Sequence, residues 1–206
     1  MGDERTIASQ LAELTEELRT INQNAVLLGK DEQVLDALLA EVGPLADRFR
    51  AAGREKVIPL FQPHRPERVD EVLPYSPISG ALNPVSPPVT MRGDGENLIG
   101  EATFGDCFEG PRGHLHGSVI AAVYDQLLAF ANILSGNAGP TGSLTVRFHR
   151  PTPLHTKLTF VAKTERVEGR KVWTRGECRL GDQLLTEGEG LFIRLDPKRA
   201  YRPWEP

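Results

Sequence analysis

Gly113-His-Leu-His-Gly-Ser-Val-Ile-Ala-Ala-Val-Tyr-Asp-Gln-Leu-Leu-Ala-Phe-Ala-Asn-Ile-Leu134 is a glycine-punctuated turn that runs into a long apolar segment interrupted by one carboxylate, Asp125. Residues 119–134 are nearly all apolar. The run is too short for a membrane span and too long for a typical strand, so it predicts a helix buried on most of its surface. An acid in such a helix either marks its one wet face, together with Gln126, or is paired, neutralised or kept for chemistry. Its neighbours along the helix are Ser118, Ala121, Ala122, Leu128, Ala129 and Asn132, a face of mostly small residues that leaves room for something to approach. Gly117 and Ser118 open the helix, so its unpaired N–H groups and the positive end of its dipole point at whatever lies there. A helix start made of glycine receives a carbonyl oxygen or an anion closely.

Strand signals flank this helix on both sides. Upstream, residues 89–92 and 98–104 read as two strands joined across Gly93-Asp94-Gly95. Downstream, beyond Gly136-Asn-Ala-Gly-Pro140, residues 141–150, 157–167, 171–180 and 183–195 read as four strands, with hairpin turns at Glu168-Gly169 and Gly181-Asp182. In the first of these Leu144, Val146 and Phe148 share a face. Two strands, a buried helix and four antiparallel strands make an α+β domain over residues 89–196.

The N-terminal residues 1–53 form a helical extension. Ile7, Leu11, Leu14, Leu18, Ile21, Ala25 and Leu28 alternate in steps of four and three, a coiled-coil-like seam. Gly29 is placed to end this helix, and Asp31 to cap a second that carries Val34, Leu35, Leu38, Leu39 and Val42. Gly43-Pro44 is expected to break that helix, with a short third turn to Ala52. The stripe packs either on the same chain's main domain or on a partner chain. Recurrent prolines make residues 54–88 an extended, surface-wrapping linker, and residues 197–206 a loose C-terminal tail.

Composition excludes several classes of function. The 206 residues suit one domain plus an appendage. A net charge of −4 without a basic stripe argues against nucleic acid. Cys107 and Cys178 are the two cysteines and read as packing residues, and the five scattered histidines match no zinc-ligand spacing, so no metal site is expected. With neither a leader nor a membrane span in view, the expectation is a reduced, cytoplasmic protein.

His116-Gly117-Ser118, followed by Asp125 eight residues after the glycine, resembles the His-Gly-Gly…Asp signature of hotdog-fold acyl-CoA thioesterases of the phenylacetyl-CoA (PaaI-like) type. The resemblance takes in Pro74-Tyr-Ser-Pro77, Phe108-Glu-Gly-Pro111 and Leu144-Thr-Val-Arg-Phe-His-Arg-Pro-Thr-Pro-Leu154, and covers residues 74–196. It implies an α+β hotdog fold, a curved antiparallel sheet wrapped around a long central helix. It also implies a homodimer or dimer of dimers, and an acyl-CoA substrate with an aryl or medium-chain acyl group and no further cofactor.

By the same resemblance Asp125 is the general base or nucleophile, the Gly117 N–H polarises the thioester carbonyl, and Thr141 helps to place water. His116 orients the turn, contacts the thioester, or is a turn histidine with a backbone partner. Ser118 replaces the usual glycine, either narrowing the thioester entrance or capping its helix. Asn132 is a further substrate-binding candidate, and Arg147 and Arg150 are candidates for the CoA phosphates. Helix geometry adds a constraint. Eight residues rise ~12 Å, whereas an oxyanion donor and an attacking group must both lie within roughly 3–3.5 Å of the reacting group. Gly117 of one chain is therefore expected to meet Asp125 of another across a two-fold axis.

Two other readings stand beside hydrolysis. One is a non-catalytic acyl-CoA-binding hotdog dimer whose N-terminal helices dock another protein. The other is a hotdog enoyl-CoA hydratase, which pairs its acid with a nearby histidine; here none follows Asp125 before His149.

Overall fold

Helix α1, Ile7–Ala25, begins where the Thr6 hydroxyl accepts the Ser9 N–H at 3.1 Å. The computed structural model describes residues 6–53, 55–56, 58–59 and 68–194; the expected tail at 197–206 lies outside them. α1 packs on the short 3-10 turn Asp106–Phe108. It is pinned by Arg19, whose Nη2 donates to the Gly80 and Asn83 carbonyls and to Ser86 Oγ at 2.6, 3.0 and 2.9 Å. Its apolar seam divides: Leu11 and Leu18 are half-buried, whereas Ile7, Leu14 and Ile21 face solvent. The helix ends short of Gly29, where the Asn24 amide turns back onto the Thr20 carbonyl at 2.8 Å.

Helix α2, Glu32–Ala51, is capped as expected by Asp31, which accepts the Gln33 and Val34 N–H groups. It does not break at Gly43-Pro44 but runs straight through Pro44. Proline forfeits a single backbone bond there, and its would-be acceptor, the Ala40 carbonyl, belongs to an exposed residue that water reaches.

Of the stretch 54–88 expected as an extended, surface-wrapping linker, residues 54, 57 and 60–67 lie outside the described residues, and residues 68–88 form packed turns. The 3-10 helix Val69–Val72 sends Val69 and Val72 into the core. The turns that follow are cross-tied by Ser76 N–H to the Leu73 carbonyl, Gly80 N–H to Ser76 and Leu82 N–H to Pro74. Proline excludes regular structure here but leaves room for turn bonds between its neighbours.

Six strands form one antiparallel sheet: β1 (Val89–Asp94), β2 (Asn97–Ala102), β3 (Thr141–Phe148), β4 (Leu158–Glu168), β5 (Lys171–Leu180) and β6 (Gln183–Ile193), in the order β1-β2-β4-β5-β6-β3. β1 runs two residues further than its sequence suggests, because Asp94 still pairs with Asn97 and only Gly95-Glu96 make the turn. Gly95 has φ +61°, which is why the two-residue loop closes there. Helix α3, Gly117–Leu134, lies against the sheet and touches all six strands, so the sheet wraps around it. This is the α+β hotdog arrangement with an N-terminal helical extension.

The seat of α3 is cut by small residues. Ala162, Gly176 and Gly188 stand in register across β4, β5 and β6. A Cβ on Gly188 would lie 2.5 Å from the Tyr124 ring, and one on Gly176 3.2 Å from Leu128, so the helix settles where side chains are missing. Tyr124 is fully buried, and its hydroxyl is satisfied by the Thr186 carbonyl and Oγ1, both at 2.8 Å. Leu127, Leu128, Phe130, Phe160 and Phe192 complete the core, each adding about 1.5–3 kcal/mol of transfer free energy. By length and composition alone α3 is apolar enough to cross a membrane, but its buried residues already face the sheet.

Candidate active site

The turn before α3 holds its first residues tightly. Gly113 takes φ +75°, the His114 N–H donates to the Pro111 carbonyl, and the His116 N–H to Phe108 at 2.9 Å. His116 is the N-cap: its Nδ1 accepts the Ser118 N–H at 3.1 Å, and the Ser118 hydroxyl lies 2.7 Å from the same nitrogen. The backbone-partner role weighed for His116 is therefore present, and the cap is His116 rather than Ser118. Its carbonyl takes the Val119 and Ile120 N–H groups. That leaves the Gly117 N–H as the donor of the first turn with no acceptor among the described residues. Phe148, at the far end of β3, stands beside it with its ring 3.4 Å from where a Gly117 Cβ would be, and is 56% exposed.

Two turns further along α3, Asp125 is exposed rather than buried in the single chain. The Thr141 hydroxyl donates to its Oδ1 at 2.7 Å. β3 thus runs along α3 with Thr141 against Asp125 at one end and Phe148 against Gly117 at the other. It is the last strand of the sheet, and only Leu144 and Val146 are drawn partly in, toward the core. Gln126, the next residue on α3, accepts the Ser76 hydroxyl at 2.8 Å, so the packed turns hold the helix from its other side.

The thioesterase superfamily model matches residues 112–187, a stretch that includes the α3 start, Asp125 and Thr141. A crystal structure of a thioesterase superfamily protein superposes with a TM-score of 0.79 at 30% identity, over 89% of this chain and 94% of that one. The chain belongs to the thioesterase superfamily. The acyl-coenzyme A thioesterase THEM4 of Xenopus laevis is 37% identical over 95 residues, 45% of this chain and 43% of that protein. THEM4 of Bos taurus is 34% identical over 98 residues, covering 47% and 40%. The chain thus spans less than half the length of these curated relatives.

Not every candidate joins the site in this thioesterase-superfamily chain. Asn132 is fully buried, with Oδ1 accepting the Thr164 and Thr174 hydroxyls at 2.8 and 2.5 Å. It stands seven residues beyond Asp125, on nearly the same side of the helix. By that point the paired strands β4 and β5 have closed over this side, with Thr164 opposite Thr174, so Asn132 is a core residue and not part of the site.

Arg147 Nη1 donates to Glu189 Oε1 at 2.8 Å, an ion pair between β3 and β6, and Arg150 is exposed beyond the end of β3. Beside them Glu187 is bound by Arg175 and, at 2.6 Å, by His149 Nε2. The Arg175 hydrogen bond first, and then that of His149, hold its carboxyl below the usual glutamate range. Sequence alternation put Phe148 on one face with Leu144 and Val146, but nothing in it signalled the contact with Gly117, which depends on how β3 lies along α3. The Ser76–Gln126 tie was likewise invisible, because it links residues fifty positions apart.

Proposed function

We propose that the protein hydrolyses acyl-CoA thioesters with an aryl or medium-chain acyl group, using Asp125, Thr141 and the Gly117 N–H. The observation that carries the reading is the Thr141–Asp125 hydrogen bond on the same helix whose first N–H has no acceptor among the described residues. By donating to Oδ1, Thr141 holds the carboxylate in one rotamer and leaves Oδ2 to act on the substrate. Asp125 serves either as base on an attacking water or as the nucleophile. Either way the carbonyl carbon gains a C–O bond, the C–S bond breaks and the thiolate leaves: as base, Asp125 takes the proton of the attacking water and passes it to the thiolate, and as nucleophile it forms a mixed anhydride that a water then hydrolyses to the acid and free Asp125. The Gly117 N–H donates to the carbonyl oxygen as negative charge builds on it.

The ~12 Å of helix between Gly117 and Asp125 is too long for one carbonyl to bridge. The active unit is accordingly a homodimer with two α3 helices antiparallel across a two-fold axis, each site taking Gly117 from one protomer and Asp125 from the other. Two features support it. β3 is an edge strand with no further strand paired to it among the described residues, and Ala121, Ala122 and Ala129 on α3 are only half-buried although the helix is apolar nearly all round. Thr141 then belongs to the Asp125 side of each site and Phe148 to the Gly117 side.

The test is thiol release over a panel of acyl-CoAs by the wild type and by Asp125→Asn, which keeps shape and removes the charge. Release by the wild type that falls a hundredfold or more in the variant is the expected result. Equal release by both proteins would remove Asp125 from the mechanism.

A further inference from the structure

Ser118 occupies the position that is glycine in the signature this chain resembles, and its side chain is bound to His116. The Nδ1 of His116 meets two groups of the same serine, the backbone N–H at 3.1 Å and the hydroxyl at 2.7 Å. An imidazole nitrogen that accepts an amide N–H carries no proton of its own. The hydroxyl rotor must then also donate to Nδ1, because the amide hydrogen cannot turn away and the hydroxyl hydrogen can. With both donors on Nδ1, the single proton of the neutral ring sits on Nε2.

The ring is also fixed in place. A Cβ on Gly110 would lie 3.1 Å from both Cβ and Cδ2 of His116, so the ring packs directly on that glycine, and the backbone on its other side is tied to Phe108. His116 is exposed, and its Nε2 has no hydrogen-bond partner among the described residues, which leaves it open to a ligand.

We infer that Ser118 is a positioning residue: it locks His116 in the Nε2–H tautomer and so presents a second neutral donor beside the Gly117 N–H for the oxygen of a bound thioester. This role rests on the hydrolase reading for its substrate and on the geometry alone for the tautomer. The amide at 3.1 Å, which glycine would keep, only biases the ring toward the Nε2–H form, and the serine hydroxyl at 2.7 Å adds the shorter second donor that makes that form dominant.

The experiment has two arms, each run on the full chain. In the first, long-range nitrogen–proton NMR at a pH where the ring is neutral reads the His116 tautomer in the wild type, Ser118→Ala and Ser118→Thr. The expected result is a single Nε2–H form in the wild type, a shifted Nδ1 resonance with a second tautomer in Ser118→Ala, and the wild-type signature restored by threonine. In the second arm, kcat for an accepted acyl-CoA falls about tenfold in Ser118→Ala with little change in KM, the size expected for one weakened hydrogen bond, and threonine restores it. An Nδ1–H tautomer in the wild type, or identical spectra in the wild type and Ser118→Ala, would overturn the lock. A changed tautomer with unchanged kcat would overturn its role toward substrate. A wild type held in the Nε2–H form, with the shift seen in Ser118→Ala, that hydrolyses no acyl-CoA supports the lock and defeats the hydrolase reading instead.

Discussion

Thr141 Oγ1 donates to Asp125 Oδ1 at 2.7 Å, fastening the first residue of the edge strand to the middle of the helix that the sheet enfolds. The carboxylate is exposed in the single chain, and this bond is what sets its orientation.

Replacing Thr141 by alanine removes that donor while leaving the strand's backbone pairing with β6 in place. The expected effect is a fall in kcat of roughly tenfold or more with KM little changed, since the hydroxyl orients the acting group rather than holding substrate. Thr141→Ser should recover most of the loss. Steady-state kinetics on all three proteins decides it, and a loss confined to KM would assign Thr141 to binding instead.

Gly188 makes the seat of Tyr124, so Gly188→Ala overfills the core where a Cβ would lie 2.5 Å from the ring. Destabilisation of about 1–3 kcal/mol is expected, read as a lower denaturant midpoint. The exposed glycine Gly43, whose added Cβ meets nothing within 4 Å, serves as the control. Gly43→Ala should leave stability unchanged or raise it slightly, because it sits in helix α2.

The Arg175–Glu187–His149 group makes stability depend on pH in a stated direction. The folded-state pKa of Glu187 is depressed, so its contribution is present above the ordinary glutamate value and is lost as pH falls through the folded value. Arg175→Ala removes the largest cause of that depression. The variant should be less stable than the wild type near neutrality, and the difference should shrink as pH falls below the ordinary glutamate range. Urea melts of both proteins at several pH values check this. A gap of constant size down to the acid limit would assign the effect of Arg175 to packing.

Much of this molecule was legible in its sequence, and the unread parts share a cause. The six strands follow from alternation, and α3 from an apolar run that starts at glycine. Asp31 was legible as a cap because capping is local. Three features depend on what another segment does. Pro44 stays inside α2 because the orphaned carbonyl is open to water, a property of the surroundings and not of the Gly-Pro pair. Asn132 shares a side of the helix with Asp125, yet Thr164 and Thr174 close over the one and leave the other open. His116 and Ser118 were both read as candidates at the helix start, but which of them caps it turns on the ring's orientation against Gly110.

Gly117 and Asp125 are proposed to act together only across two chains, and mixing two inactive proteins separates this arrangement from a site within one chain. Asp125→Asn keeps the Gly117 N–H. Gly117→Pro removes that N–H at the first helical residue, where proline is tolerated. In a mixed dimer one site carries both defects and the other carries neither. With random reassortment half the dimers are mixed, so recovery of roughly a quarter of wild-type activity is expected from two proteins that are each inactive alone. If mass measurements confirm reassortment, circular dichroism shows Gly117→Pro to be folded, and no activity returns, the shared site is contradicted.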